Sequence, residues 1–195
     1  MAPASTSSTS QISVVAVLLL LFPVAPALSP PQGIMAACKT VGGGSTYFDV
    51  QFCEDAISSV AGSGDVGLDY QIFGGLTVGL LAVNATSTKA KIDRLLRGGG
   101  GVGVMFKAVV DVAVGRCLLS CQSLYSGILD GSPACTAAVK AGKYAEARAI
   151  LEKAATAAKG CEDGFGKNNA VSLLSAENDD AFKLAKLGVA LVTDL

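Results

Sequence analysis

The segment that decides the fold reads CQSLYSGILDGSPACTAAVKAGKYAEARAILEKAATAAKGC and runs from Cys121 to Cys161. Apolar residues recur every three or four positions on both sides of Gly142, which predicts two amphipathic helices joined by a tight turn. Cys121 lies about 21 residues before that turn and Cys161 about 19 after it, so both lie roughly 30 Å from it. We therefore expect the two sulfurs to meet at the open end of a helical hairpin, where a disulfide would close a loop of about 40 residues.

Composition narrows the function classes. The chain has 195 residues, which is the size of one domain, with 51% hydrophobic residues, six Cys, no His and a net charge of −1. A chain without His lacks the commonest general base and the usual zinc ligand. A charge so close to zero gives no basic face for nucleic acid. We therefore expect no enzyme, no metal or other cofactor, and no nucleic-acid partner.

The N-terminus is predicted to be a secretory signal over residues 1–27. It contains an apolar run from Ile12 to Phe22, which is too short for a bilayer that needs about 20 apolar residues, and then Ala25-Pro-Ala27. No Lys or Arg precedes the run, so a plastid transit peptide is the alternative. The mature domain would be residues 28–195, secreted to the extracellular space and not bound to membrane. Its cysteines would pair, and Asn84 would be an acceptor for N-glycosylation.

The remaining segments also indicate helices. Cys38 and Cys53 enclose a Gly42-Gly-Gly44 reversal, which predicts a small hairpin with Tyr47, Phe48 and Phe52 as packing groups. Residues 68–97 predict one long helix with an apolar stripe formed by Ile72, Phe73, Leu76, Leu80, Val83, Ile92, Leu95 and Leu96.

Two further segments complete the architecture. The glycines of residues 98–103 lack the Lys-Ser/Thr of a phosphate loop and are interpreted as a link between helices. A last helical segment is expected to open at Ala176-Glu-Asn-Asp-Asp, with Asn178 or a nearby Ser as its cap. The prediction is an all-α, up-and-down four-helix bundle with an N-terminal helical hairpin, stapled by disulfides.

Five motifs in this order resemble the plant invertase and pectin methylesterase inhibitor family, in particular its pollen-allergen-like invertase-inhibitor subgroup. They are Cys38-x14-Cys53, Cys121-x3-Tyr125, Lys140-x2-Lys-Tyr144, Cys161-Glu-Asp-Gly-Phe165 and Glu177-Asn178-x8-Leu187. The resemblance covers about residues 34–195. It implies a disulfide-stapled helical bundle in the apoplast that binds a cell-wall carbohydrate enzyme tightly and reversibly, with no chemistry of its own.

The resemblance also implies two disulfides, Cys38 with Cys53 and Cys121 with Cys161. Cys117 and Cys135 are not required by the family pattern. Eighteen residues of straight helix would separate them by ~27 Å, whereas a disulfide needs Cα atoms within about 7 Å. We expect both to stay unpaired, or Cys117 to compete with Cys121 for Cys161. Pairing of Cys117 with Cys135 would require Gly131-Ser-Pro133 to break the helix.

Pectin methylesterase and acid invertase are both targets within this family. Some of its invertase inhibitors carry a Pro-Lys-Phe tripeptide that enters the target's active site, whereas this chain has Lys167-Asn-Asn-Ala there, and Leu173 where relatives tend to have proline. This difference favours pectin methylesterase, although the subgroup points to invertase. Asp65 and Asp69 belong to a run without basic residues and are predicted to steer the protein toward its target. The alternative is that they are ordinary solvated residues.

Two other classes fit less well. A secreted lipid carrier of the plant type would also be helical and rich in Cys, but those families have eight cysteines with an adjacent Cys-Cys pair, which this chain lacks. A hydrolase would need a nucleophile with a base or facing acids. The Asp179-Asp180 and Glu162-Asp163 pairs are adjacent in sequence and fit helix ends.

Overall fold

The structure, a computed structural model, describes residues 32–61, 67–97 and 112–194. The predicted signal of residues 1–27, the whole glycine link of residues 98–103 and Asp65 lie outside these ranges. The described residues form helices and no strand, which confirms the all-α prediction. The helices are α1 (Gln32–Gly42), α2 (Val50–Ala61), α3 (Tyr70–Leu96), α4 (Val112–Lys140), α5 (Tyr144–Lys167) and α6 (Ser175–Thr193).

The α4–α5 hairpin turns where the sequence predicts. Gly142 has a φ of +70°, in the left-handed region that glycine adopts without strain. The amide of Lys143 donates to the carbonyl of Ala138 at 2.9 Å, so the turn satisfies a carbonyl at the end of α4. Pro133 lies inside α4 without ending it; its ring is exposed, and Ile128 and Cys135 on either side of it are buried in the core. The helix is therefore continuous from Cys117 to Cys135.

Four long helices close into a ring. α4 packs on α3 and α5, and α6 packs on α5 and α3, so the shared core lies between all four. Its largest fully buried side chains include Tyr125, Phe165, Leu118, Leu151, Ile92 and Leu174. The short α1–α2 hairpin lies against α3 and α6 and forms a second core with Phe73, Leu187 and Leu191.

The apolar stripe predicted for α3 is wrong in part. Ile72 and Val83 are 48% and 67% exposed, and the buried face of the helix is instead formed by Phe73, Gly74, Thr77, Val78, Leu81, Ala85, Thr88 and Ile92. Apolar residues surround this helix, so their spacing does not select one face. The two buried threonines are tolerated because each hydroxyl donates at 2.8 Å to a carbonyl four residues earlier.

The N-terminal cap of α6 differs from the prediction, although the helix starts within one residue of the predicted Ala176. The helix begins at Ser175, directly after Leu174, and no side chain caps it. Asn178 is inside the helix and only 2% exposed. Its amide group is therefore a buried polar group that needs partners from other helices.

One helix within the described ranges, α4, is long and apolar enough to cross a membrane. It has 29 residues, and an 18-residue window within it has a mean hydropathy of 1.2. The core helix of a bundle can have the same composition. α4 places Leu118, Tyr125 and Ile128 in the core and is joined to α5 by a disulfide.

Candidate functional site

Cysteine pairing follows the pattern that the family resemblance implies. Cys121 and Cys161 join α4 to α5 with an S–S distance of 2.09 Å, at the end of the hairpin away from Gly142. Cys38 and Cys53 join α1 to α2 with Cα atoms 5.5 Å apart. Cys117 and Cys135 are both buried free thiols.

The buried Asn178 belongs to a polar network beside the Cys121–Cys161 bond. The hydroxyl of Tyr125 donates to Asn178 Oδ1 at 2.8 Å, and Asn178 Nδ2 donates to Glu162 Oε2 at 2.7 Å. The Glu162–Asn178–Tyr125 network thus links α5, α6 and α4 through hydrogen bonds. A neighbouring ion pair connects α3 to α6, because Lys91 Nζ lies 2.6 Å from Glu177 Oε1.

Glu162 is held in its charged form. Partial burial alone would raise its pKa, but hydrogen bonds from Asn178, Ser172 and Ser175 together outweigh burial and lower the pKa below its ordinary value of 4.5. A carboxylate with three donors is a structural acceptor rather than a general acid. Burial also raises the pKa of Tyr125 well above its ordinary value of 10.0, so its phenol stays protonated and donates.

The described ranges hold no group of three or more Cys, Asp or Glu that is arranged to bind a metal ion. The Glu162–Asn178–Tyr125 network and the Lys91–Glu177 ion pair hold α3, α4, α5 and α6 in fixed relative positions.

A cluster of aromatic and charged side chains lies on the surface at the loop between α1 and α2. We call it the Tyr47 ridge; it consists of Tyr47, Phe182 and Lys186. The Tyr47 and Phe182 rings meet edge to face with centroids 5.7 Å apart. The Lys186 ammonium lies 4.8 Å from the Tyr47 centroid and 2.6 Å from a Glu152 carboxylate oxygen. Half of Tyr47 remains exposed although its ring is held from two sides.

Two open clefts share Tyr47 and Lys186 as lining residues. One has a volume of about 560 Å³ and extends toward Thr40, Arg148 and Thr193. The other has a volume of about 410 Å³ and extends toward Lys159 and Asp163. The ridge therefore projects between recesses that another protein surface could fill.

Asp69, one of the two acidic residues predicted to face a target, has a local structural role. Asp69 is the N-cap of α3, and its Oδ1 accepts a hydrogen bond from the Ile72 amide at 3.0 Å. Asp49 makes the same kind of bond at the start of α2, with the Phe52 amide at 2.8 Å. Asp65 lies outside the described residues. Capping accounts for Asp69 without any partner, and the role of Asp65 and Asp69 in steering stays a prediction.

The predicted glycosylation acceptor lies on α3 and faces α6. Asn84 is partly buried, and its Nδ2 donates to the Glu177 carbonyl at 3.4 Å. A glycan would be attached at that nitrogen and would remove the contact with α6. Glycosylation of Asn84 stays a prediction.

The Tyr47 ridge was missed by sequence reasoning, which assigned Tyr47 to packing inside the small hairpin. Phe182 and Lys186 are four residues apart on α6 and so share a face, which was the available signal. The pattern did not show that Tyr47 lies on that face, because the contact joins residues more than 130 positions apart in the chain.

Comparisons with known proteins agree with the motifs. A family model described as plant invertase/pectin methylesterase inhibitor matches residues 32–191. A protein from Platanus acerifolia named "Putative invertase inhibitor" is 27% identical over 159 residues, which is 81% of this chain and 82% of that protein. The crystal structure of a pectin methylesterase inhibitor from Arabidopsis thaliana covers 82% of this chain and 93% of that chain, with a TM-score of 0.55 and 15% identity. At that identity the similarity concerns the fold alone.

Proposed function

Because the chain belongs to the plant invertase/pectin methylesterase inhibitor family, we propose that it is a secreted inhibitor of a cell-wall pectin methylesterase. The family consists of enzyme inhibitors and not of enzymes, and its members are extracellular in general. We propose that residues 1–27 direct secretion and that the mature chain acts by reversible, stoichiometric binding. Activity would be lost because a rigid helical surface covers the substrate cleft.

The choice of target rests on the residues of the loop that connects α5 to α6. Asn168 ends α5, and its Nδ2 donates to the Gly164 carbonyl at 2.8 Å. Asn169 follows with a φ of +50°. These residues form a helix-terminating turn at the place where some invertase inhibitors of the family carry Pro-Lys-Phe. The absence of that tripeptide supports pectin methylesterase as the target.

Acid invertase is the second candidate. Its support is the relative from Platanus acerifolia, which is named "Putative invertase inhibitor". The two candidates share the fold and the mode of action and differ in the enzyme that is covered.

We further propose that the Tyr47 ridge contacts the target. Tyrosine is enriched among interface residues that contribute most to binding. The Tyr47 ring is positioned before binding, because the loop that carries it is closed by the Cys38–Cys53 bond and the ring contacts Phe182 and Lys186. A side chain that is already ordered loses less conformational entropy when it binds.

The decisive experiment assays the mature protein, with both disulfides formed, against a pectin methylesterase and an acid invertase in parallel at acidic pH. We expect pectin methylesterase activity to fall linearly to an equivalence point near one inhibitor per enzyme, while invertase activity is unchanged. Inhibition of invertase alone would select the second candidate. Inhibition of neither enzyme would contradict the proposal.

A matched pair of variants tests the ridge. Tyr47→Ala removes the ring and should weaken inhibition at least tenfold, corresponding to about 1.4 kcal/mol. Tyr47→Phe keeps the ring and its contact with Phe182 and should bind nearly as well as the original protein. Equal inhibition by all three proteins would place the contact elsewhere on the surface.

A further inference from the structure

The larger of the two clefts beside the Tyr47 ridge is lined mainly by polar side chains. We call it the Arg148 cleft; it lies between the α1–α2 loop, α5 and α6, and has a volume of about 560 Å³. Ligand pockets in proteins have volumes of roughly 300–1,000 Å³ and combine an aromatic or apolar wall with a few polar groups. The ring of Tyr47 lines this cleft and is half exposed. The cleft therefore has the size and the mixed lining of a site for a small molecule.

The charges that line the Arg148 cleft cancel. Arg148 and Lys186 are positive, and Glu152 and Asp194 are negative. Lys186 is paired with Glu152, since Lys186 Nζ lies 2.6 Å from Glu152 Oε2. Among the residues that the structure describes, neither Arg148 nor Asp194 has an ion pair or a side-chain hydrogen bond. The N–H donors of one guanidinium and the acceptor oxygens of one carboxylate are thus left for a ligand.

The hydroxyl groups of the cleft also provide both donors and acceptors. Ser45 Oγ accepts hydrogen bonds from two backbone amides of its own loop, at 3.2 and 3.4 Å, which leaves its O–H proton to donate. The hydroxyls of Thr40 and Thr193 donate to carbonyls one turn earlier, at 3.1 and 2.7 Å, so their remaining lone pairs can accept. The hydroxyl of Thr46 has no partner within the described ranges.

We propose that the Arg148 cleft binds a neutral saccharide. Each hydroxyl of a sugar both donates and accepts, which matches a cleft that offers donors and acceptors together. A phosphate or carboxylate group only accepts, and it would meet the charges of Glu152 and Asp194. An ammonium group only donates, and it would meet Arg148. The ring of Tyr47 provides an apolar surface for the C–H groups of a sugar ring.

The open shape of the cleft sets the strength of binding. The hydroxyls of a sugar exchange hydrogen bonds with water for hydrogen bonds with the protein, and the net gain of each is small. We therefore expect a dissociation constant on the order of 1 mM. Binding of this strength would keep a secreted protein near polysaccharide while still allowing it to diffuse. This role goes beyond the proposed inhibition and does not require it.

An NMR titration of the mature, ¹⁵N-labelled protein tests the site, with cellobiose, lactose and maltose each added to about 20 mM. We expect saturable shifts of the amide signals of residues 44–48 and 189–194. The signals of Gly127 and Gly131, which line a separate apolar cleft between α4 and α5, should not move. Glucose should bind more tightly than glucuronate or glucosamine, which present a similar ring with a negative or a positive charge.

Two variants remove groups that the proposal assigns to the ligand. Arg148→Ala should weaken binding at least tenfold, because hydrogen bonds to a charged group are lost. Arg116→Ala is the matched control, since Arg116 is an exposed arginine of α4 that does not line the cleft, and it should bind like the original protein. Thr46→Val replaces one hydroxyl by a methyl group of similar size and should weaken binding about fivefold.

Four results would overturn the proposal. They are the absence of saturable shifts with all three disaccharides, shifts confined to the cleft between α4 and α5, equal affinity of the Arg148→Ala and Arg116→Ala variants, and tighter binding of glucuronate than of glucose. The last result would make the cleft a site for anions. The titration contains no enzyme, so its failure is distinct from a failure of the proposed inhibition.

Discussion

The two disulfide-linked hairpins differ in how much else holds them together. α4 and α5 have 29 and 24 residues, pack along their length, and are each flanked by another long helix. α1 and α2 have 11 and 12 residues, and among the described helices they pack mainly against α3 and α6. Helices shorter than ~12–15 residues are marginal in isolation. The Cys121–Cys161 bond therefore reinforces a packed pair of helices, whereas the Cys38–Cys53 bond keeps a weak pair in place.

The largest effect is expected from removal of the long-range bond. A Cys121→Ala/Cys161→Ala double variant should lower the free energy of unfolding by about 4 kcal/mol, because the bond closes a loop of about 40 residues in the unfolded chain. The bundle should still fold, with native helix content and an intact α1–α2 hairpin. Denaturant titration followed by circular dichroism measures the loss. A loss below about 1 kcal/mol would mean that the bond restricts the unfolded chain much less than the loop length suggests.

A Cys38→Ala/Cys53→Ala double variant should instead act locally. The shorter loop is worth about 3 kcal/mol, so amide hydrogen exchange in α1 and α2 should accelerate roughly 100-fold while the amides of α4 and α5 stay protected. Inhibition should weaken with it, since Tyr47 lies on the loop of this hairpin. Equal acceleration in both hairpins would show that they unfold as one unit and would remove the distinction between them.

The Glu162–Asn178–Tyr125 network gives the larger hairpin a dependence on pH. The pKa of Glu162 is lowered in the folded state, so its contribution is present above the ordinary value of 4.5 and is lost as the pH falls through the lower folded-state pKa. Glu162→Gln should cost roughly 2 kcal/mol at pH 7, the scale of hydrogen bonds to a charged group, and much less at pH 3. Urea titrations at the two pH values measure the difference.

The neighbouring Asp163 provides the control for that experiment. It forms an exposed ion pair with Lys159 on the same helix, and pairs of this kind contribute less than about 1 kcal/mol. Asp163→Asn should therefore have a small effect at both pH values. If Glu162→Gln has an equally small effect at both pH values, the network contributes no more to stability than an exposed ion pair does.

The smallest effect concerns Asp69, at the junction between the small hairpin and the bundle. Asp69→Lys removes the cap of α3 and should cost about 1 kcal/mol, whereas Asp69→Asn keeps a capping side chain and should cost a few tenths. The Asn variant also removes the negative charge and so isolates steering: association with the target at low salt should slow if Asp69 attracts it. If Asp69→Asn associates with the target at the same rate as the original protein, Asp69 serves only as the cap of α3.

The sequence predicted helix content, the Gly142 turn and the small hairpin, because each depends on spacing along one stretch of chain. It did not predict which face of α3 is buried. The core side of that helix carries Thr77 and Thr88, whose hydroxyls bond to their own helix, while the outer side carries Ile72 and Val83. Local pattern cannot separate a core face from an outer face when both are apolar.

The local pattern also did not predict which residues the buried Asn178 would contact. Asn178 has the residue type and position of a helix cap, yet its amide bonds across the bundle to Tyr125 and Glu162. Those partners are 53 and 16 positions away in the chain, and only the assembled bundle brings them together. The Tyr47 ridge was missed for the same reason.

The reactivity of the two buried free thiols, Cys117 and Cys135, reports whether the helices of the bundle are packed. Cys117 donates to the Gly164 carbonyl, Cys135 donates to the Ala147 carbonyl, and burial raises the pKa of Cys135 to about 11. At neutral pH about one Cys135 side chain in 10⁴ is a thiolate, which is the form that attacks disulfides and alkylating reagents. The native disulfides are thus shielded from reshuffling by this thiol while the helices stay packed. The rate at which maleimide labels these two thiols therefore measures how often the bundle opens.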